Sequence, residues 1–430
     1  MLHEADPGRH SRATADPDRR RFTIGGAATA ALALGPSASA HTGADNGRRT
    51  SSTSPVEGTC EPEFARVRKA FEENFRHRGE VGAAVCVYHD GKKVVDLWGG
   101  VADPATKRAW YRDTIVGMMS VGKSMAALCV LMLAHRGKVD LDKPVAAYWP
   151  EFAQAGKAEI TVRTLMQSKA GLLYADAAPD GSGYDWKTMI HAFEVQAPEW
   201  KPGTKGGYHS MSMGFLLGEL IRRVDGRHLD RFFDDEVAGP LGVDYRYGLR
   251  RADFQRTAKI IPNRDNASLG QIMTPGTKMY RAWRVRPYAK DPNNDPDYLM
   301  ARFPSSNGQG NARSVARVYA VLANAGELDG VKLVSRDLVE QARTVSWEGI
   351  CQMTDRYTRY GCGFLLPEKT MMPWPGKHAF GHPGLGGALG VADPESGLAF
   401  SYSPNYLAAG AGVGERCTAL IQALWKTKRR

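Results

Sequence analysis

The chain has 430 residues, of which 43% are hydrophobic and 9% aromatic, which is ample for burying a core. Its length exceeds the about 250–300 residues that a single core usually fills, so two lobes are expected. Lys and Arg number 57 against 46 Asp and Glu, a formal charge of +11. No basic stripe interleaved with aromatic residues is present, so nucleic acid is not predicted as a partner. The charge is interpreted as an aid to solubility and a weak attraction to anionic cell-wall polymers.

The first forty residues have the pattern of an export signal. Arg-Arg-Arg-Phe at 19–22 precedes a small, apolar stretch at 23–34, and Ala-Ser-Ala follows at 38–40. This order predicts a twin-arginine signal peptide over residues 1–40, whereas a disordered basic tail would not explain the apolar run. Residues 41–59, rich in Ser, Thr and Gly, are expected to be a flexible linker. The apolar stretch is too short to stay in a bilayer as a helix, so we expect a secreted or cell-envelope protein without stable membrane insertion.

Residues 60–430 are expected to form the folded domain, with strands near both ends and helices between them. The predicted elements are a helix at 62–78, strands at 81–88 and 93–98 joined at Asp90-Gly91, mainly helices from Ser120 to about Tyr319, strands at 363–366, 388–392 and 398–402, and a helix near 413–426. This order predicts an α/β (α+β) fold in which one antiparallel sheet, built from 60–118 and 310–430 and flanked by helices, carries a helical lobe at 119–309. Long loops at 173–187 and 262–298 are expected to wall a cleft and set substrate choice.

The most informative short motif is Ser-x-x-Lys, formed by Ser120 and Lys123. Apolar residues recur after it at spacings of three and four, so the serine is expected at the first turn of a helix with the lysine on the same face. A buried, neutral lysine amine can take the proton of a serine hydroxyl and so activate it as a nucleophile. Alone, the motif is short enough to occur by chance.

Two later segments add to this motif. A Pro- and Gly-rich turn leads into Tyr208-His209-Ser210 just before a helical apolar run, which places a second proton-handling group on a loop. The glycine-dense stretch at 380–394 is expected to form a strand along which backbone can approach a substrate closely.

Taken in order, these motifs resemble the penicillin-recognising serine hydrolases, the serine beta-lactamase-like superfamily. Within that superfamily the chain looks most like the class C beta-lactamase-related group, especially the family VIII carboxylesterases, over about residues 64–426. The segments that carry the likeness also include Pro-Leu-Gly at 240–242, Ser-Ser-Asn-Gly at 305–308, His-Pro-Gly at 382–384 and Ala-Asp-Pro at 392–394. The resemblance implies the two-lobed layout predicted above, with the site in the cleft between the lobes.

The chain departs from this group's lactamases and peptidases at two positions. Ser210 stands where they usually carry an asparagine, and His382 stands where they usually carry a lysine. A largely neutral imidazole anchors a carboxylate more weakly than a fixed cation. Both changes favour uncharged esters over beta-lactams or D-Ala peptides.

The resemblance implies a two-step acyl transfer on Ser120. Lys123 and Tyr208 would remove its proton and deliver one to the leaving alcohol, and the sequence leaves open which of them is the base. Backbone N–H groups of Ser120 and Leu385 would hold the oxyanion. Ser210, His382 and Gly384 are expected to contact substrate.

The roles of the two histidines near the motifs stay open at this point. A purely structural role for His382 is the alternative to substrate contact. His209 is equally compatible with lining the cleft and with packing away from it.

The six cysteines leave several readings open. Cys86 and Cys129 lie in apolar segments and are expected to be buried thiols. Cys351 and Cys362 are close in sequence and are one candidate disulfide. Cys60 and Cys417 are another, because the terminal helices pack together in the related fold. No cysteine has zinc-ligand spacing and no His-Glu-x-x-His occurs, so neither metal nor cofactor is predicted.

Other functions on the same residues are kept as alternatives. They are a beta-lactamase or D-Ala peptidase, an acyltransferase with a different acceptor, and a non-hydrolytic acyl-binding sensor. No Gly-x-Ser-x-Gly occurs, so an alpha/beta-hydrolase is unsupported. The late glycines do not fit Gly-x-Gly-x-x-Gly, so a dinucleotide site is not predicted. The leading prediction is an exported serine hydrolase acting on a small-molecule ester or lactone.

Overall fold

The computed structural model describes residues 56–428. The predicted signal peptide and residues 41–55 of the predicted linker lie outside this range. The end of the linker prediction is wrong, because Val56–Cys60 form a strand that pairs with residues 95–99. Among the helices of the described range, none has the length and apolar character needed to cross a membrane.

Strands occupy both ends of the described chain. In chain order they are β1 Val56–Cys60, β2 Gly82–His89, β3 Lys92–Asp103, β4 Arg108–Ala109, β5 Val116–Met119, β6 Tyr245–Tyr247, β7 Gly308–Gly310, β8 Glu327–Leu328, β9 Val331–Lys332, β10 Trp347–Ile350, β11 Tyr357–Tyr360, β12 Phe380–Pro383, β13 Leu389–Asp393 and β14 Leu398–Pro404.

Helices fill most of the middle. They are α1 Ala65–His77, α2 Val121–His135, α3 Val162–Met166, α4 Trp186–Val195, α5 Ser212–Asp225, α6 Leu229–Phe233, α7 Gly239–Leu241, α8 Ala267–Met273, α9 Lys278–Trp283, α10 Pro296–Met300, α11 Ala312–Ala323, α12 Arg336–Arg343 and α13 Gly414–Lys428.

The largest sheet in the described range joins the two chain ends, as predicted. Its strand order is β1-β3-β2-β14-β13-β12, with β4 on β3, and all the pairings are antiparallel. The β2–β3 turn has positive φ at both Asp90 and Gly91, which the tight hairpin turn requires, so the hairpin prediction is confirmed. Helix α11 packs on the central strands, and α1 packs on α13. The fold prediction is confirmed.

Helix α2 is the centre of the helical part. Every residue from Val121 to Leu133 is buried, so this helix is covered by neighbours on all sides. It contacts α5 and α6 and also β5 and β12. The residue at its N-terminus is therefore held between the helices and the end of the sheet.

Two segments differ from the predicted elements. Residues 262–298 contain α8, α9 and the start of α10, whose first turns are capped by the side chains of Asn266, Thr277 and Asp295. Helix α8 has no buried residue. The strand predicted at 363–366 is reduced to isolated bridges of Leu365 with Tyr360 and Gly381.

Both candidate disulfides are wrong, because all six cysteines, which lie within the described residues, are free. The Cys351 thiol instead accepts a hydrogen bond from the Tyr208 N–H at 3.1 Å. Cys60 is partly exposed at the end of edge strand β1, and its thiol donates to the Glu61 carbonyl. Cys86 and Cys129 are buried thiols, as predicted.

Candidate active site

Ser120 lies where strand β5 ends and helix α2 begins. The preceding residue, Met119, has a φ of +49°, a left-handed conformation that residues with side chains rarely adopt. The Ser120 side chain does not cap the helix and instead borders a cavity. The hydroxyl is thus presented at a helix N-terminus, where N–H groups and partial positive charge favour a nearby anion.

Lys123 lies one turn further along α2 and points at this hydroxyl. Its Nζ is 2.8 Å from Ser120 Oγ and donates to the Ser305 carbonyl at 2.6 Å. The side chain is fully buried, and burial holds its pKa well below the usual value of a lysine. Within the described chain it forms no ion pair. This environment favours a neutral amine, whose lone pair can accept the serine proton.

Tyr208 completes the cluster from the loop before α5. Its ring centroid is 5.2 Å from Lys123 Nζ, and the Ser120 side chain is the neighbour that partly offsets the rise in the pKa of its hydroxyl. Part of the side chain borders the cavity, yet the surrounding protein still raises its pKa by desolvation. The phenol therefore stays protonated at neutral pH and is suited to donate a proton.

His382 does not line the cavity, which corrects the prediction that it contacts substrate. It is 1% exposed, its Nδ1 lies 2.7 Å from the Pro383 carbonyl oxygen, and its ring packs 5.7 Å from the Tyr208 ring. Burial lowers its pKa to about 3. The imidazole is therefore neutral. The end of β12 turns its ring inward, where it packs against the ring of Tyr208.

The remaining predicted site residues do border the cavity. Ser210 accepts a hydrogen bond from Trp283 Nε1 at 2.9 Å. Gly384 and Leu385 form the turn after β12, and both line the same cavity as Ser120. A side chain at Gly384 would place its Cβ 2.4 Å from the Met118 carbonyl, so only glycine lets β12 approach β5 this closely. His209 is fully buried away from the cavity.

The cavity beside Ser120 has a volume of about 520 Å³, within the usual size of a small-molecule site. Much of its wall comes from 266–293, one of the two segments predicted to wall the cleft. The wall is mainly apolar: Met119, Leu269, Ile272, Met273, Met279, Tyr280, Trp283, Tyr288, Tyr298, Leu365, Met371 and Leu385. Among the described residues, no group of His, Cys, Asp and Glu is arranged to hold a metal ion.

Some contacts of the site were not foreseen from the sequence. The Ser305 carbonyl that binds Lys123 belongs to the Ser-Ser-Asn-Gly segment, which was noted without a role. Ser305 Oγ also accepts from the Gly214 N–H at 2.8 Å and so joins this segment to α5. Gly122, inside the Ser-x-x-Lys motif, leaves room for Tyr245, whose hydroxyl would lie 3.0 Å from an added Cβ. The small residue in the motif was the only available signal for that packing.

Comparison with known proteins identifies the family of the chain. A sequence model of the family described as beta-lactamase matches residues 67–420. The chain is 35% identical over 387 residues to "Esterase/beta-lactamase LipL" of Mycobacterium tuberculosis, covering 86% of each protein. A crystal structure of a family VIII carboxylesterase shares 35% identity with a TM-score of 0.79, over 86% of this chain and 99% of that one. The crystal structure of a penicillin-binding protein homolog from Caulobacter crescentus shares 31% identity with a TM-score of 0.78, again over 86% of this chain and 99% of that one.

The chain therefore belongs to the beta-lactamase family, as the motifs indicated. The prediction that it is a serine hydrolase is confirmed.

Proposed function

We propose that the protein is an esterase that cleaves carboxylic esters through an acyl-enzyme formed on Ser120. The observation that carries this proposal is the 2.8 Å contact between Ser120 Oγ and the Nζ of a buried lysine without a carboxylate partner. A neutral amine in this position can take the hydroxyl proton while the Ser305 carbonyl fixes its direction. The esterase names of relatives support the choice of substrate.

In the proposed mechanism Lys123 is the base. The opposite directions of the two pKa shifts argue for this assignment, since burial favours neutral lysine and protonated tyrosine. Ser120 attacks the ester carbonyl, Lys123 takes its proton, and Tyr208 delivers a proton to the leaving alcohol and regains one from Lys123. Water then attacks the acyl-enzyme by the reverse path. The N–H groups of Ser120 and Leu385 hold the oxyanion.

Esters are favoured over beta-lactams because the third motif supplies no cation. His382 is buried and neutral, so it offers no charge to a carboxylate next to the scissile bond. Ser210 is shorter than the usual asparagine and is engaged by Trp283. A lactamase activity is the second candidate, since one relative carries both names.

The experiment measures 4-nitrophenyl butyrate hydrolysis by the wild-type chain, by Ser120→Ala and by Ser346→Ala, a serine outside the cavity. Intact-protein mass spectrometry after a short reaction should show one butyryl group on wild type and none on Ser120→Ala. Turnover should persist in Ser346→Ala and vanish in Ser120→Ala. Nitrocefin, a beta-lactam, is assayed in parallel. If the protein hydrolyses nitrocefin faster than the ester, the proposed function changes from esterase to beta-lactamase. Equal activity of wild type and Ser120→Ala would exclude Ser120 as the nucleophile.

Export by the twin-arginine route is part of the same proposal. It rests on the arginines at 19–21 and the apolar stretch after them. Replacing Arg20 and Arg21 together by lysine should move the protein from the exported fraction to the cytoplasm. An unchanged distribution would refute this route.

A further inference from the structure

The charged residues that line the cavity are unbalanced. They are Asp180, Arg284, Arg286 and Arg356. Asp180 is paired with Arg284 in a close salt bridge. Neither Arg286 nor Arg356 lies within 4.0 Å of a carboxylate in the described part of the chain. Two guanidinium groups are therefore left without a counter-charge beside a largely apolar wall.

Arg286 is fixed in place by neutral groups. Its guanidinium stacks 4.0 Å from the ring centroid of Tyr298 and donates to the Asn293 side chain at 3.3 Å and to the Pro292 carbonyl. Tyr298, Asn293 and Pro292 also line the cavity. A stacked and oriented guanidinium loses little further freedom when it binds a planar anion.

Arg356 reaches the cavity from the turn between β10 and β11. The neighbouring carboxylate, Asp355, is taken by Lys278 of α9 at 2.6 Å. Lys278 also donates to the Gln352 carbonyl at 3.0 Å, which ties this turn to α9. The turn is thus held against the cavity wall while the Arg356 charge stays unpaired.

The active-site cluster is connected to the part of the cavity wall that carries Arg286. Tyr298, on which Arg286 stacks, donates to Ser306 Oγ at 2.9 Å. Ser306 follows Ser305, whose carbonyl holds Lys123. The cations therefore lie on the wall of the reaction cavity and not at a separate surface.

We infer that the preferred substrate is an ester that carries a second, anionic group, a carboxylate held by Arg286 and Arg356 away from the scissile bond. This inference rests on the proposed esterase function and names its substrate class. Guanidinium groups pair with carboxylates through charge-assisted hydrogen bonds, which strengthen where apolar walls exclude water. It also revises the expectation of uncharged esters, because two cations elsewhere on the cavity wall can hold an anionic group that lies away from the scissile bond.

The test compares matched neutral and anionic esters. On the acyl side, the pair is the mono-4-nitrophenyl ester of suberic acid and its methyl-capped form. On the alcohol side, the pair is the butyrate ester of 4-hydroxybenzoate and that of its methyl ester. The kcat/KM values are measured for wild type, Arg286→Gln, Arg356→Gln and the double variant. Arg359→Gln is the matched control, since Arg359 lies on the same hairpin, pairs with Glu348 and does not line the cavity.

We expect wild type to prefer the anionic member of at least one pair by about ten-fold or more, the size of a charge-assisted hydrogen bond. The preference, which is the ratio of kcat/KM for the anionic member to that for the neutral member, should shrink in each single variant and vanish in the double variant, mainly through the KM of the anionic ester. Arg286→Lys and Arg356→Lys should retain part of it, which separates charge from packing. Arg359→Gln should keep it.

Equal rates on both members of both pairs in wild type would overturn the inference and leave the esterase proposal standing. A preference that survives in the double variant would also overturn it. If no neutral or anionic ester is cleaved at all, the proposed function itself fails.

Discussion

Replacing Lys123 by methionine removes the amine but keeps a side chain of similar length in the same buried site. The variant leaves the Ser305 carbonyl without its donor, which costs about 1–3 kcal/mol of folding free energy. It also removes a desolvated amine, which offsets part of that cost. We therefore expect the folding stability of Lys123→Met to stay close to that of wild type.

The catalytic activity of Lys123→Met, in contrast to its stability, should fall strongly. A positioned general base contributes about 10²–10⁴-fold to the rate, so kcat/KM for 4-nitrophenyl butyrate should fall by about that factor. Lys123→Arg should fall as far, because a guanidinium is never neutral in a protein.

Lys157 provides a matched control, as a second fully buried lysine. Its Nζ donates to the carbonyls of Gln154, Glu194 and Gln196 at 2.7–2.9 Å, and it does not line the cavity. Lys157→Met should lower the thermal midpoint more than Lys123→Met does, and yet keep kcat/KM per folded molecule. If Lys123→Met retained activity within ten-fold of wild type, the assignment of Lys123 as the base would be refuted.

The pH profile gives an independent check on the same group. Since burial lowers the pKa of Lys123, kcat/KM should be full above that pKa and fall as pH drops through it, because the ammonium form cannot accept a proton. The acid limb should therefore lie well below pH 10.5, the usual lysine value.

Three further outcomes are expected. Tyr208→Phe should reduce kcat by about 10²-fold or more with unchanged folding, because it removes only the proton donor; stopped-flow traces and thermal melts check this. Gly384→Ala should push β12 away from the Met118 carbonyl and lower kcat/KM more than it lowers the urea midpoint. Arg416→Met should cost about 3–5 kcal/mol in urea unfolding, because it leaves the buried Glu80 carboxylate without its partner at 2.9 Å; a loss under 1 kcal/mol would contradict that reasoning.

The predictable parts of this protein are those encoded by local pattern. The β2–β3 hairpin follows from Asp90-Gly91 between apolar runs, and the placement of Ser120 and Lys123 follows from helical spacing alone. The short helices α8 and α9 lie in a segment predicted to be a loop, because each is about two turns or less in length and too short to show a helical period. Their caps, Asn266 and Thr277, were the available signal.

The rest depends on contacts between residues far apart in sequence. No local pattern shows that His382 turns toward Tyr208 and away from the cavity, or that Cys351 meets the Tyr208 N–H and not Cys362. The Ser305 carbonyl is 182 positions from Lys123. A backbone acceptor also carries no residue-type signature, so only the folded chain reveals it.

Helix α8 contributes to the cavity wall but little to the buried core. None of its seven residues is buried, yet Leu269, Ile272 and Met273 border the reaction cavity. Substitutions there remove little buried area and so cost little stability, while they reshape the space that a substrate must fill. This helix is where the enzyme can acquire new specificities most freely in evolution, and it is the first segment to randomise in a search for altered selectivity.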